Sequence, residues 1–398
     1  MSRLLRAIAL TLLTAALCGA PAGAARATDP EEGAVLDAAR GEKVGRVPRV
    51  PWITGVSWSD IVSRAGDEGR PLLVDFTATW CGPCKLLDVM VFTEKAVIAE
   101  LDSVVTFQVD IDKPEYAELK ARFGVDAVPT IAWCTPDGEL VDSFSGYVSS
   151  RQFLEIVRGW RQNRSIDRVL SDRQTASPQD VEVLLDVARR QAERGRVREA
   201  DVLYRRVLNL RHSAPPAEVA QGLLGLARLA QADGRPDEAR RLAARVADLA
   251  AGGGAPAMGQ SDAARTERLL EAALFQESIG DTLGMLASFR TLAERDDRNV
   301  VALHGYARAT VRTGRELPAG TKAALRATVY GDDDPDVVST LAACYFARGM
   351  VSRAIRWQEK AVAAAPHTQR YRDELDVYRA ARGEAPAGRS RRAVRSGH

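Results

Sequence analysis

Five glycines, Gly195, Gly234, Gly280, Gly314 and Gly349, recur at spacings of 39, 46, 34 and 35 residues through the second half of the chain. Each interrupts a run with helical apolar spacing, and after about Asp172 strand patterns stop. A period near 34 residues with a helix breaker in every unit predicts stacked helical pairs. One pair cannot bury its apolar face alone, so its neighbours must cover it. The two longer gaps carry extra loop residues, most clearly "AGGGAPAMGQ" from Ala251 to Gln260. The expectation is an all-α solenoid over residues 175–382, with "RYRDELDVYRAARG" as its closing helix.

The first half follows another rule. "SWSDIVSRAGDEG" is an amphipathic helix ending at Gly66 or Gly69. "PLLVDFTAT" is a continuous apolar run of strand length, as in a strand buried on both faces. "CGPCKLLDVMVFTEKAVIAEL" has helical spacing, and "VVTFQVDID" reads as a second strand. "PEYAELKARFG" is a helix with proline at its start and glycine at its end. "PTIAWC" and "ELVDSFSG" are strands joined by the turn "TPDG". "SSRQFLEIVRGWRQN" closes the unit. The order βαβ, α, hairpin, α predicts an α/β fold with a mixed sheet covered by helices, over residues 52–163. At 398 residues the chain is long enough for two cores.

The ends suggest export. Arg3 and Arg6 precede the apolar stretch from Ala7 to Leu17, and two A-x-A cleavage candidates follow, Ala22-Gly23-Ala24 and Ala25-Arg26-Ala27. Residues 1–27 are therefore expected to be a signal peptide, with an uncleaved anchor as the alternative. Leu17 is bulky where a lipid-modified Cys18 would want a small residue. Residues 28–51 read as a linker in which "TDPEEGAVLDAAR" can form a short helix. Residues 383–398 read as a basic, solvated tail. The expected location is periplasmic or secreted. A formal net charge of +2 gives no pull toward nucleic acid or membrane.

Cys81 and Cys84 lie in "VDFTATWCGPCK", between a strand and a helix. Three uses suit such a pair. A structural zinc needs four ligands, usually from a second close pair, and the sequence has no second C-x-x-C. A staple closing so short a loop gives only roughly 2 kcal/mol in the entropic model. A working dithiol fits the local pattern better. Cys81 falls at a helix start, where unpaired N–H groups and the helix dipole stabilise a thiolate. Such cysteines titrate below the free value of about 8.5. Pro83 suits the first helical turn, Gly82 leaves room for a substrate sulfur, and Cys84, one turn on, can attack a mixed disulfide at Cys81. Cys134 and Cys344 read as buried free thiols.

Trp80-Cys81-Gly82-Pro83-Cys84-Lys85 resembles the active site of the thioredoxin family, and the similarity runs from about Trp58 to Trp160. It takes in Asp75, six residues before Cys81, Val128-Pro129-Thr130 at the family's cis-proline loop, and Gly146. The wording around the cysteines is similar to exported members, including the C-terminal domain of the membrane electron carriers called DsbD. The resemblance implies that Cys81 attacks, Cys84 resolves and Asp75 relays the resolving proton. It also implies that Trp80, Gly82, Pro83, Val128 and Pro129 meet the substrate. It implies neither cofactor nor metal. Where the family has a lysine near the buried carboxylate, this chain has Gln108, so the relay lacks its cation.

The helical half resembles tetratricopeptide repeats. Leu341, Ala342, Tyr345, Gly349, Ala354, Ala361 and Pro366 fit the last unit. Gly195 with Ala200 and Tyr204 fit an earlier one, and Leu226, Ala227, Gly234 and Ala239 another. Gly280 with Phe289, and Tyr306 with Ala307 and Gly314, fit degenerate units. Such arrays present a concave face to a peptide or protein; the alternative is an array that only holds the first domain or dimerises. The whole chain is thus expected to be an exported thiol-disulfide oxidoreductase acting on disulfide-containing client proteins. Its repeats bind a peptide or protein partner, and as a reductase it draws electrons from a membrane donor. The rival is a repeat scaffold whose first domain binds without turnover.

Overall fold

A computed structural model describes residues 30–42, 48–211, 214–251, 262–331 and 333–383. The expected signal peptide, Cys18, the basic tail and most of the loop at Ala251 to Gln260 lie outside the described residues. No helix among the described residues is long and apolar enough to cross a membrane.

Four strands form one mixed sheet in the order β2-β1-β3-β4. They are β1 (Leu72–Thr77), β2 (Val105–Asp110), β3 (Thr130–Cys134) and β4 (Leu140–Ser145). β1 runs parallel to β2, with Asp75 opposite Gln108, and antiparallel to β3. β1 and β3 are the central strands, and their residues are almost all buried, which explains why both read as unbroken apolar runs. The flanking helices are α2 (Trp58–Glu68), α3 (Gly82–Met90), α4 (Lys95–Leu101), α5 (Ala117–Arg122) and α6 (Ser150–Arg161), with a 3-10 turn at Pro114–Tyr116. Helix α1 (Pro30–Glu42) lies upstream.

The helical spacing after Cys81 resolves into two helices, α3 and α4, separated by a turn. The Phe92 N–H still reaches back to Leu87 O, but Phe92 O accepts from Val50 N at 2.9 Å. The Phe92 ring meets Trp52 and Phe153 edge-on. Capture of Phe92 by the segment at Val50–Trp52 and by α6 thus competes with continued helix. Tertiary packing outweighs a periodicity that alone would allow one helix.

The rest is helical: α7 (Ile166–Ala176), α8 (Val181–Glu193), α9 (Val197–Asn209), α10 (Pro216–Ala232), α11 (Pro236–Ala251), α12 (Asp262–Ser278), α13 (Thr282–Arg295), α14 (Val300–Thr313), α15 (Leu317–Tyr330), α16 (Pro335–Ala347), α17 (Val351–Ala364) and α18 (Gln369–Ala381). This is the expected tetratricopeptide-type solenoid. Gly195, Gly234, Gly280, Gly314 and Gly349 sit in the turns α8–α9, α10–α11, α12–α13, α14–α15 and α16–α17, with φ between 66° and 74°. A left-handed residue ends each first helix, and glycine adopts that conformation at no steric cost.

Consecutive units stack by setting a large side chain against a small one. A methyl group at Gly305 on α14 would overlap the Phe289 ring of α13, and one at Gly225 on α10 would overlap the Tyr204 ring of α9. Gly305→Ala opposes two effects. Alanine favours the helix by about 1 kcal/mol, whereas overpacking against a fully buried ring costs typically 1–3 kcal/mol. A net loss of up to about 2 kcal/mol is expected in urea unfolding, and a variant more stable than wild type would refute this packing account.

The two halves share a core. Trp133, Phe144 and Trp160 of the α/β unit cluster with Ile166, Leu170, Val183 and Val187 of α7 and α8. The segment expected as linker also differs from that description in part. Helix α1 docks on the solenoid, where buried Glu32 accepts from Tyr345 Oη at 2.9 Å and Trp357 Nε1 at 3.2 Å. Its acidic residue finds donors more than 300 positions away, which local composition cannot reveal.

Candidate functional site

Cys81 is the N-cap of α3. Its backbone is extended (φ −80°, ψ 104°) and its Sγ accepts the N–H of Cys84 at 3.1 Å. Pro83 lies in the first turn, where its missing N–H costs nothing. The two cysteines form a disulfide. The helix start therefore aims the Cys84 N–H at the sulfur of Cys81, an arrangement that favours negative charge there once the pair is reduced.

The other expected residues gather around this point. The Val128–Pro129 bond is cis, and Val128 packs with Ala78, Cys81 and Cys84. Thr130 Oγ1 donates to Ala127 O at 2.8 Å, fixing the loop before β3. Trp80 stands at the rim, 44% exposed, with its Nε1 donating to Asp112 at 2.8 Å. Asp75 is buried in the middle of β1. Gln108 Nε2 donates to its Oδ2 at 2.9 Å, while Oδ1 has no hydrogen-bond partner among the described residues. Burial first, then the nearby Asp88 carboxylate, push the Asp75 pKa up to about 7, against the opposing Gln108 bond. The position of the family's lysine is thus filled by a neutral donor that holds the carboxyl without stabilising its ionised form as strongly as a cation would.

Sequence reasoning missed Asp88. It lies one helical turn beyond Cys84 on α3, and burial pushes its pKa up to about 6, with Arg49 and Lys85 opposing and Asp334 reinforcing. A cavity of about 290 Å³ is lined by Cys84, Lys85, Asp88, Gln108, Asp110 and Asp334. It runs from Cys84 to Gln108, the donor to Asp75, through space wide enough for water. The available signal was the 3.6-residue periodicity, which sets residues 84 and 88 on one helix face.

Cys134 and Cys344 are buried free thiols. Burial pushes both up to about 12, so neither is a nucleophile near neutral pH.

One expectation about access is corrected. Gly82 was expected to leave room for a substrate sulfur. A Cβ built on Gly82 would instead fall 2.5 Å from Leu274 Cδ2 of α12, and Cys81 and Cys84 are each only 3% exposed. The chain's own helical half fills the space over Gly82, between the two cysteines.

Residues 59–159 match the family model described as a thioredoxin-like domain. Thioredoxin H4 of Arabidopsis thaliana is 33% identical over 89 residues, which are 22% of this chain and 71% of that protein. The thiol:disulfide interchange protein DsbD of Pseudomonas fluorescens is 32% identical over 107 residues, 26% of this chain and 18% of that protein. The chain spans 57% of the length of the mitochondrial thioredoxin of Bos taurus. A solved tetratricopeptide repeat protein from Parabacteroides merdae is 14% identical, covering 51% of this chain and 74% of that one at a TM-score of 0.40.

Proposed function

Because this chain belongs to the thioredoxin-like family, we propose that it is an exported thiol-disulfide oxidoreductase that reduces or exchanges disulfides in client proteins. The observation that carries this reading is the sulfur of Cys81 held at the start of α3 with the Cys84 N–H directed at it. In the reduced protein the Cys81 thiolate attacks a client disulfide. The client S–S bond breaks, one client sulfur leaves as thiolate and takes a proton, and a Cys81–client disulfide forms. Cys84 then passes its proton toward Asp75 by way of the polar cavity and attacks the Cys81 sulfur. This closes the Cys81–Cys84 disulfide and frees the second client thiol. Two electrons have moved to the client, and an external dithiol, supplied at a membrane, restores the pair. Val128, Pro129, Gly82, Pro83 and the exposed Trp80 form the surface that meets the client strand. Export is supported by the apolar stretch Ala7 to Leu17 behind Arg3 and Arg6. Partner binding by the repeats is supported by the helical array itself.

The rival, a scaffold that binds without turnover, draws on the burial of both cysteines. Trapping separates the two. Cys84→Ser, reduced and mixed with insulin, should accumulate a disulfide adduct at Cys81, seen by mass spectrometry and released by dithiothreitol. The Cys81→Ser/Cys84→Ser double variant should form none. No adduct from Cys84→Ser with either insulin or a small disulfide would favour the scaffold.

A further inference from the structure

The first helices of successive pairs, α12, α14 and α16, form a row that faces α3. Buried Leu86 of α3, with the partly buried Val89 and Met90, packs into a cluster with Leu270 and Leu274 of α12, Phe289 of α13 and Leu303 of α14. Polar contacts ring this seam. Tyr147 Oη donates to Glu267 at 2.7 Å. Lys85 Nζ pairs with Asp334 at 3.2 Å and with Asp336 at 3.3 Å. Thr79 Oγ1 meets Tyr371 Oη at 3.3 Å, and His367 Nε2 meets Asp110 at 3.2 Å. Thr79, Gly82 and Lys85, which flank the dithiol, each meet a residue of the solenoid.

The acidic contacts across the seam have second partners on their own side. Asp336 also pairs with Arg370. Glu267 also pairs with Arg268 at 3.0 Å. Asp334 also caps α16 through the Asp336 N–H at 2.8 Å, and Asp110 also accepts from Asp112 N at 3.1 Å. Separation would hydrate Lys85 and leave no carboxylate stripped of every partner, which removes the largest penalty for breaking a buried ion pair. What holds the seam is then chiefly the apolar contact of Leu274 and its neighbours with α3. A surface that combines a small apolar centre with replaceable polar contacts suits local, reversible separation there, with the shared core at α7 and α8 left intact.

We propose that the inner face of the helical array is a built-in lid on the dithiol: Leu274 occupies the place above Gly82 that a client chain would take, and a protein client reaches Cys81 only when α12 and its neighbours separate from α3. This rests on the oxidoreductase reading. It gives the array a regulatory role toward its own chain, since the face that would take a peptide is held against α3.

The test uses the full chain, reduced, with insulin as protein disulfide and dithionitrobenzoate as small disulfide. If the closed state outnumbers the open one about tenfold, shortening the lid with Leu274→Ser should raise the insulin rate about tenfold, because reactivity scales with the competent fraction. Glu267→Ala, which cuts a rim contact, should raise it less but in the same direction. It serves alone if Leu274→Ser lacks a cooperative unfolding transition. Leu274→Met, which keeps the volume, should stay near the wild-type rate. Insulin rates within about twofold of wild type for the folded opening variants would overturn the lid. Inertness of all variants and wild type toward the small disulfide would instead overturn the oxidoreductase reading.

Discussion

Cys81→Ser should reduce insulin, with dithiothreitol as electron source, no faster than dithiothreitol alone. The expected loss is at least about a thousandfold, the scale of removing a catalytic nucleophile. Serine is nearly isosteric and is among the better N-cap residues, so the start of α3 should stay formed and stability should change little. What disappears is ionisation: an alcohol is far too weak an acid to be charged near pH 7, even facing helix N–H groups, whereas a thiolate is the species that attacks. No other cysteine among the described residues can substitute. Cys84 is as buried as Cys81 but its own N–H is the donor directed at Cys81, and Cys134 and Cys344 are 0% exposed, with thiols pushed up to about 12. Fast alkylation of the reduced protein at pH 7 should therefore vanish together with turnover. Insulin reduction by Cys81→Ser at the wild-type rate would end the enzymatic reading.

The parts of this site that depend on neighbours in the chain were legible in the sequence. Proline at the first turn, glycine beside the cysteine, and an apolar strand just upstream each carry a local cause, and together they set Cys81 at a helix start. The five turn glycines were legible for the same reason, since each answers a left-handed backbone conformation at its own position. Leu274 was not legible. In an amphipathic helix a leucine announces burial but not its neighbour, and Gly82 is almost two hundred residues away. Lys85 belongs to the dithiol motif in sequence, yet its partners are Asp334 and Asp336 on the far side of the seam. Asp88 is the one acidic residue of an apolar helical stretch, and its raised pKa comes from burial that only the assembled fold imposes.

Asp75→Asn should reshape the pH dependence of stability and slow resolution. The Asp75 carboxyl titrates near 7 in the fold against an ordinary value of 3.8. Between those values the folded chain holds a proton that the unfolded chain has released, so the folded state binds more protons and stability falls as pH rises. Below about pH 3.8 the group contributes nothing, and above about pH 7 the full cost is present. Three units at 1.36 kcal/mol each put that cost on the order of 4 kcal/mol. Asparagine keeps a carbonyl oxygen for the Gln108 donor and cannot ionise. In urea unfolding of the oxidised protein, the variant should match wild type near pH 4 and exceed it by a few kcal/mol at pH 8. A shallower slope should remain from Asp88, which titrates near 6 under the opposing influence of Lys85 and Arg49. The same change removes the acceptor for the Cys84 proton. Release of client from the Cys81 adduct should slow by about 10²-fold, the lower end of general-base contributions, while formation of the adduct is unaffected. Parallel stability curves for the two proteins from pH 4 to pH 8 would show that Asp75 is already ionised in the fold. Unchanged release would show that Cys84 gives its proton elsewhere, with Asp88, which lines the same cavity, as the alternative.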